Sequence, residues 1–260
     1  MCLIFIAWRA HPQVPLFVAA NRDEAHARPT APAHWWNDTE PPILAGRDLS
    51  AGGTWLGLTR SGRFAAITNY RDPARPVKSG PSRGALACRL LSSGAPVGAL
   101  LGELAQSAAQ YNPFSVLFSD GHELAIFESV VGRGRVLPAG RYALSNHLLD
   151  TPWPKVQMLR SQMLTAAGEV PDTATALALL RDERPAPDEA LPRTGVSLER
   201  ERVLSSIFVR DSTYGTRCST LVRMDREGGV QFDEWSWDRQ GQETAHVVTS
   251  FRLERNGSQR

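Results

Sequence analysis

The chain has 260 residues (28.5 kDa), 42% of them hydrophobic and 22% charged, with a formal net charge of +2; this composition excludes intrinsic disorder and provides for a sizeable core. No apolar run approaches the ~18 residues that span a bilayer, and the apolar opening Cys2 to Trp8 has neither a basic flank nor a small-residue cleavage site, so no transmembrane segment and no export signal are expected. Cys2, Cys88 and Cys218 form no CxxC pair, which excludes a disulfide framework and a zinc site and makes a reducing cytoplasm the expected compartment.

In chain order, Cys2 to Trp8 reads as a strand, His11 to Pro15 breaks it, and Leu16 to Ala20 reads as a second strand that runs into Asn21-Arg22-Asp23-Glu24. A turn near Pro12 pairs residues whose numbers sum to roughly 24, placing Cys2 opposite Arg22. Leu56 to Thr59 and Phe64 to Thr68 flank Ser61-Gly62-Arg63 as a hairpin. From Arg60 to Arg89 seven cations face the single acid Asp72, either a basic surface for an anionic ligand or a solvated loop. Helical spacing appears over Leu86 to Leu91 and Val97 to Ala109. A second hairpin joins Val116 to Phe118 with Leu124 to Phe127, and helical spacing returns over Val156 to Ala167 and Ala174 to Leu180, the latter capped by Asp172 or Thr173. Three prolines make Arg184 to Pro192 a loop, and Leu221 to Met224 pairs with Val230 to Phe232 across Glu227-Gly228-Gly229. Helices grouped between blocks of hairpins argue for an α+β fold with largely antiparallel sheets, two of which can stack face to face.

The chemistry concentrates at the first hairpin. If Met1 is removed, Cys2 carries a thiol and an α-amine, and an α-amine with an ordinary pKa of ~7.7–8.0 can take the thiol proton near neutrality. Acyl transfer through a thioester also needs donors for the developing oxyanion, and Asn69 and Asn146, at the ends of predicted strands, are candidates. No P-loop or GxGxxG is present and the histidines show no metal spacing, so neither nucleic acid nor a metal is an expected partner.

Met1-Cys2 before an apolar strand, Asn21-Arg22-Asp23-Glu24, Gly52-Gly53-Thr54-Trp55-Leu56-Gly57, Ile67-Thr68-Asn69-Tyr70-Arg71, Leu144-Ser145-Asn146 and Tyr214-Gly215-Thr216-Arg217 together resemble the NRDE family, which includes the transport and Golgi organisation 2 proteins. The resemblance runs from Met1 to about Asp225. That family is similar to N-terminal nucleophile hydrolases of the choloylglycine hydrolase and penicillin acylase type. The resemblance therefore implies one domain over residues 1–260 with a four-layer αββα fold and two stacked, largely antiparallel sheets. It makes Cys2 the nucleophile of an amidohydrolase or acyltransferase that acts on a linear amide, with Asn21, Arg22, Asp23 and Glu24 orienting it and Asn69 and Asn146 completing the catalytic set. The hydrolases read Arg-Asn-x-Asp, so which member of the run takes which part stays open. Arg71, His147 and Arg217, in or beside these motifs, are the ligand-binding candidates. No cofactor is required, and the expected partner is a small-molecule amide.

The alternative is a carrier of haem, acyl-CoA or another hydrophobic anion, motivated by the basic stretch and by Trp35-Trp36 and Trp235 with Trp237 lining a cleft. Each candidate also has a plainer reading: Cys2 as a small buried hydrophobe, the asparagines as turn residues, His147 as a local hydrogen-bonding group, Arg217 as a surface partner of Asp211.

Overall fold

The computed structural model of the protein describes residues 2–163 and 169–254. Its elements are β1 (Cys2–Trp8), β2 (Leu16–Ala25), β3 (Thr30–Trp36), β4 (Ile43–Asp48), β5 (Leu56–Thr59), β6 (Phe64–Asn69), α1 (Arg83–Ser92), α2 (Val97–Ser107), β7 (Phe114–Ser119), β8 (Leu124–Glu128), β9 (Arg133–Leu137), β10 (Gly140–Leu144), α3 (Pro154–Gln162), α4 (Thr173–Leu180), α5 (Leu198–Leu204), β11 (Tyr214–Met224), β12 (Gly229–Trp237) and β13 (Glu243–Arg252). The strands form two antiparallel sheets, one in the order β10-β1-β2-β11-β12-β13 and one running β3 to β9 as a meander.

Alternation along the strands builds three apolar layers. Ile4, Ile6 and Trp8 of β1 meet Leu44, Leu58, Phe64 and Leu117 between the sheets. Leu3, Phe5 and Ala7 of the same strand pack outward against Val156 and Leu159 of α3 and Leu180 of α4. On the far side Ala65, Ile67 and Val116 pack against Leu86, Leu90 and Leu100 of α1 and α2. The result is the αββα stack and the α+β class expected above. It explains why β1 is apolar at every position, since a strand covered on both faces has no solvent side.

The predicted hairpins form at β5/β6, β7/β8 and β11/β12, and β1 pairs with β2 so that Cys2 faces Arg22. Asp172 caps α4 by accepting from the Thr175 amide. The helix predicted over Val156 to Ala167 is α3, and residues 164–167 of that prediction lie outside the described residues. Among the described residues, no helix is long and apolar enough to cross a membrane.

Candidate functional site

Cys2 opens β1 on the same face as Ile4 and Ile6, and at this end of the sheets the space between them is a cavity of about 230 Å³ rather than packed core. Cys2, Asp23, Trp55, Asn69 and Arg83 are among its walls. One wall forms where the loop before β5 meets the start of α1. A Cβ on Gly53 would lie 2.4 Å from the Gly84 carbonyl carbon, so this approach needs glycine. Burial raises the Cys2 thiol above its ordinary value, so near neutrality it is protonated and needs a base before it can attack. The Cys2 carbonyl accepts from the Ser145 hydroxyl at 3.0 Å, which fixes the backbone of the nucleophile candidate.

The four residues that follow β2's apolar stretch split between two faces, because successive side chains of a strand point oppositely. Arg22 turns into the space between the sheets, stacks on Trp55 at 4.4 Å and lies 3.3 Å from Asp48, which also binds Arg28 at 2.5 Å. Glu24 lines the cavity and accepts from the Ala25 amide. Asn21 is a correction to the catalytic set. It points to the helix side, where its amide donates to the carbonyls of Leu180 and Ile207 and its oxygen accepts from Ser219. Asn21→Ala is expected to leave those carbonyls unsatisfied and lower stability by about 1–3 kcal/mol in urea unfolding, with any reaction at Cys2 unchanged.

Asp23 shares the helix side but lies at the strand end, where it also borders the cavity. Thr216 donates to its Oδ1 at 2.8 Å, and Lys155 Nζ of α3 lies 3.8 Å from its Oδ2. Both side chains are buried; burial raises the Asp23 carboxyl while Lys155 pulls it down, and burial lowers the Lys155 amine while Asp23 holds it up. A second buried pair, Arg71 with Glu201 of α5 at 2.9 Å, lies close enough to act on Lys155. Lys155 and Glu201 were missed by sequence reasoning. A lone lysine in α3 and a glutamate in the Glu-Arg-Glu-Arg of α5 look like solvated helix charges.

Asn69 and Asn146 are brought together. The Asn146 amide donates to the Asn69 carbonyl and to its Oδ1, both at 3.0 Å, which leaves the Asn69 Nδ2 as the donor available to the cavity. Asn146 itself is fully buried and does not line the cavity, so its part is to position Asn69. The segment after β10 is strapped across to the other sheet by Thr68 on the Ser145 carbonyl and Ser115 on that of His147. His147 hydrogen-bonds Tyr70 and Thr151, and its ring lies beside Trp153. The structure gives His147 this local role and places it off the cavity, in place of the ligand contact expected.

Arg217 is also corrected: one guanidinium nitrogen donates to the carbonyls of Ala25, His26 and Arg28, closing the turn after β2, and Asp211 pairs with Arg200 instead. Arg71 lines a neighbouring hollow of about 280 Å³ that shares Asn69 and Arg83 with the cavity. The tryptophan pairs do not form a cleft. Trp36, Trp235 and Trp237 are core residues and Trp35 packs on Phe251. The basic stretch is divided: Arg60 stacks on Trp35 and Arg63 donates to the Ala95 carbonyl, whereas Arg71, Arg75 and Arg83 line the neighbouring hollow, where Arg75 pairs with Asp72 and Arg71 with Glu201.

The family model for Transport and Golgi organisation 2 matches residues 1–239. The Transport and Golgi organization protein 2 homolog of Bos taurus is 34% identical over 91% of this chain and 93% of its own, and the Mus musculus homolog is 32% identical with the same coverage. Among solved structures, a mutant conjugated bile acid hydrolase from Clostridium perfringens aligns over 97% of this chain and 92% of its own, at 10% identity and a TM-score of 0.46. A Caenorhabditis elegans N-acylethanolamine-hydrolyzing acid amidase ortholog aligns over 85% and 92%, at 10% identity and a TM-score of 0.42. The match to the family model across nearly the whole chain, together with relatives above 30% identity, shows that the chain belongs to the Transport and Golgi organisation 2 family.

Proposed function

We propose that the protein is an N-terminal nucleophile hydrolase or acyltransferase acting on a linear amide, with Cys2 as nucleophile once Met1 is removed. The observation that carries this reading is the meeting of Cys2, Asp23 and Asn69 on one cavity, with Asn69 held by Asn146. In the reaction the α-amine of Cys2 takes the thiol proton and Sγ attacks the amide carbon. Asn69 Nδ2 donates to the oxyanion, and the resulting ammonium returns the proton to the departing amine. Water, activated by the same amine, then adds to the thioester and releases the acid and the thiol. Asp23 is the carboxylate that would hold the α-ammonium in position, and Lys155, 3.8 Å away, opposes the rise that burial imposes on its carboxyl.

No cofactor or metal enters these steps. A free thiol nucleophile suits a reducing compartment such as the cytoplasm. The carrier alternative has less support, because three of the four tryptophans offered for haem or acyl-CoA, Trp36, Trp235 and Trp237, lie in the core.

Mass spectrometry of the full chain after exposure to p-nitrophenyl pentanoate, an activated ester, tests the reading. The expected result is a chain lacking Met1 that carries one pentanoyl group on Cys2, with no adduct in Cys2→Ala. Retention of Met1, or an adduct unchanged in Cys2→Ala, would overturn it.

A further inference from the structure

Three guanidinium groups line the cavity, and they are not equivalent. Arg22 and Arg28 share the Asp48 carboxylate and Arg22 also lies 3.9 Å from Glu24, so two carboxylates face their two charges within the protein. Arg83 is different. Among the described residues it has no ion-pair partner, and its Nη1 donates to the Pro113 carbonyl at 3.1 Å. A guanidinium carries five N–H donors in a fixed fork that matches a carboxylate, sulfonate or phosphate. Arg83 is half-buried, and burial disfavours its charge there, while its electrostatic partners across the cavity are Cys2 and Glu24. It also stands where the cavity meets the neighbouring hollow of about 280 Å³, since it lines both. The first turn of α1, which it begins, adds the positive end of a helix dipole.

We infer that the substrate is an amide bearing an anionic group a few bonds from the scissile carbonyl, and that this group seats on Arg83 at the junction of the two hollows. The inference rests on the cavity being the hydrolase site proposed above. The cavity's size sets the short separation. An anion on a long tether would pass beyond Arg83, whereas a neutral substrate would leave the guanidinium desolvated with its donors unmet, a loss that shows as discrimination between charged and neutral analogues.

The experiment reads binding and not turnover, by calorimetry on full-length Cys2→Ala protein. Two probes carry a carboxylate on opposite sides of an amide: the monoanilide of glutaric acid on the acyl side and N-pentanoylglycine on the amine side. Their neutral matches are pentananilide and N-pentanoylglycine methylamide. One charged probe is expected to bind at least about tenfold more tightly than its match, and which one it is assigns the anion to the acyl or the amine half. Arg83→Gln is expected to remove that preference, weakening the charged probe while the neutral probe binds at least as well because no guanidinium is left with unmet donors, and Arg83→Lys to keep part of it, because a lysine supplies charge without the fork.

Equal affinities for charged and neutral probes, no charged-probe binding at millimolar concentration, or a preference that survives Arg83→Gln would each overturn the inference. Should Arg83→Gln fail to fold, the preference measured with Arg83 in place and its reduction in Arg83→Lys still decide the matter. A pentanoyl adduct on Cys2 without any anion preference would sink this inference alone. An anion preference without an adduct would sink the hydrolase reading, and with it the word substrate, while leaving Arg83 as the seat of an anionic ligand.

Discussion

Replacing Lys155 with methionine is expected to lower the stability of the protein by about 3–5 kcal/mol, read from urea unfolding at neutral pH. Lys155 is 1% exposed, and its ammonium lies 3.8 Å from Asp23 Oδ2, beyond hydrogen-bonding range, so what it contributes is charge. Without it the Asp23 carboxylate stays buried beside Cys2 and must either bear the desolvation cost or take up a proton. Each choice has a signature. A charged Asp23 gives the full loss at pH 7. A protonated one gives a variant whose deficit shrinks as pH falls, because the folded state then binds a proton that the unfolded state has released. The double variant Asp23→Asn, Lys155→Met removes both charges and should recover most of the loss in a double-mutant cycle. A loss below about 1 kcal/mol in the single variant would show that the pair is not coupled. The same substitution bears on function: with Asp23 neutral, an α-ammonium on Cys2 loses its counter-charge, and acylation of Cys2 should slow while the cavity keeps its shape.

The register that joins Cys2 to Arg22 was legible because two apolar runs flank one proline-rich break, and antiparallel pairing then leaves little freedom. Antiparallel sheets were legible in the same way, from hairpins whose turns announce themselves, but the hairpins only allowed two sheets to stack, and it was the family resemblance that implied the αββα layers. What the polar run Asn21 to Glu24 concealed was its division between two faces. Contiguity in sequence reads as one cluster, yet strand alternation sends Asn21 to the helices and Arg22 to the space between the sheets. The asparagine pair was visible as two separate turn residues; that Asn146 aims Asn69 depends on the crossing from β10 to the other sheet, which no local pattern encodes. Strands β3, β9 and β13 escaped for a related reason. Arg133–Leu137 and Glu243–Arg252, for example, have mostly exposed residues on one face, so their apolar alternation is weak, and pairing with a neighbour stabilises them more than their own composition does. Buried charges are the hardest to see, because Lys155, Glu201 and Glu234 have the same letters as surface residues.

Glu234 carries the second large effect. It lies in β12, 2% exposed, between the sheets, where its Oε1 accepts from the Ala33 amide at 2.7 Å and its Oε2 accepts from the Thr220 hydroxyl at 3.3 Å. Those bonds favour the carboxylate, but burial outweighs them and pushes the group from 4.5 up to about 7. A folded-state value above the unfolded one means that the folded protein holds a proton which the unfolded chain has lost. Stability from this group is therefore complete below pH 4.5 and falls as pH rises to about 7, after which it is constant. At ~1.4 kcal/mol for each pH unit between the two values, the fall is about 3 kcal/mol. Glu234→Gln keeps an acceptor for Ala33 and cannot ionise. The stability of the variant relative to the parent should accordingly rise by about 3 kcal/mol between pH 5 and 8, and taking the difference cancels every group whose titration the substitution leaves alone. A flat difference would place Glu234 at an ordinary carboxylate value and remove the cost. A rising one identifies a carboxylic acid that is half ionised near neutrality across β11 from Arg22, so that the net charge behind the Cys2 cavity changes with pH.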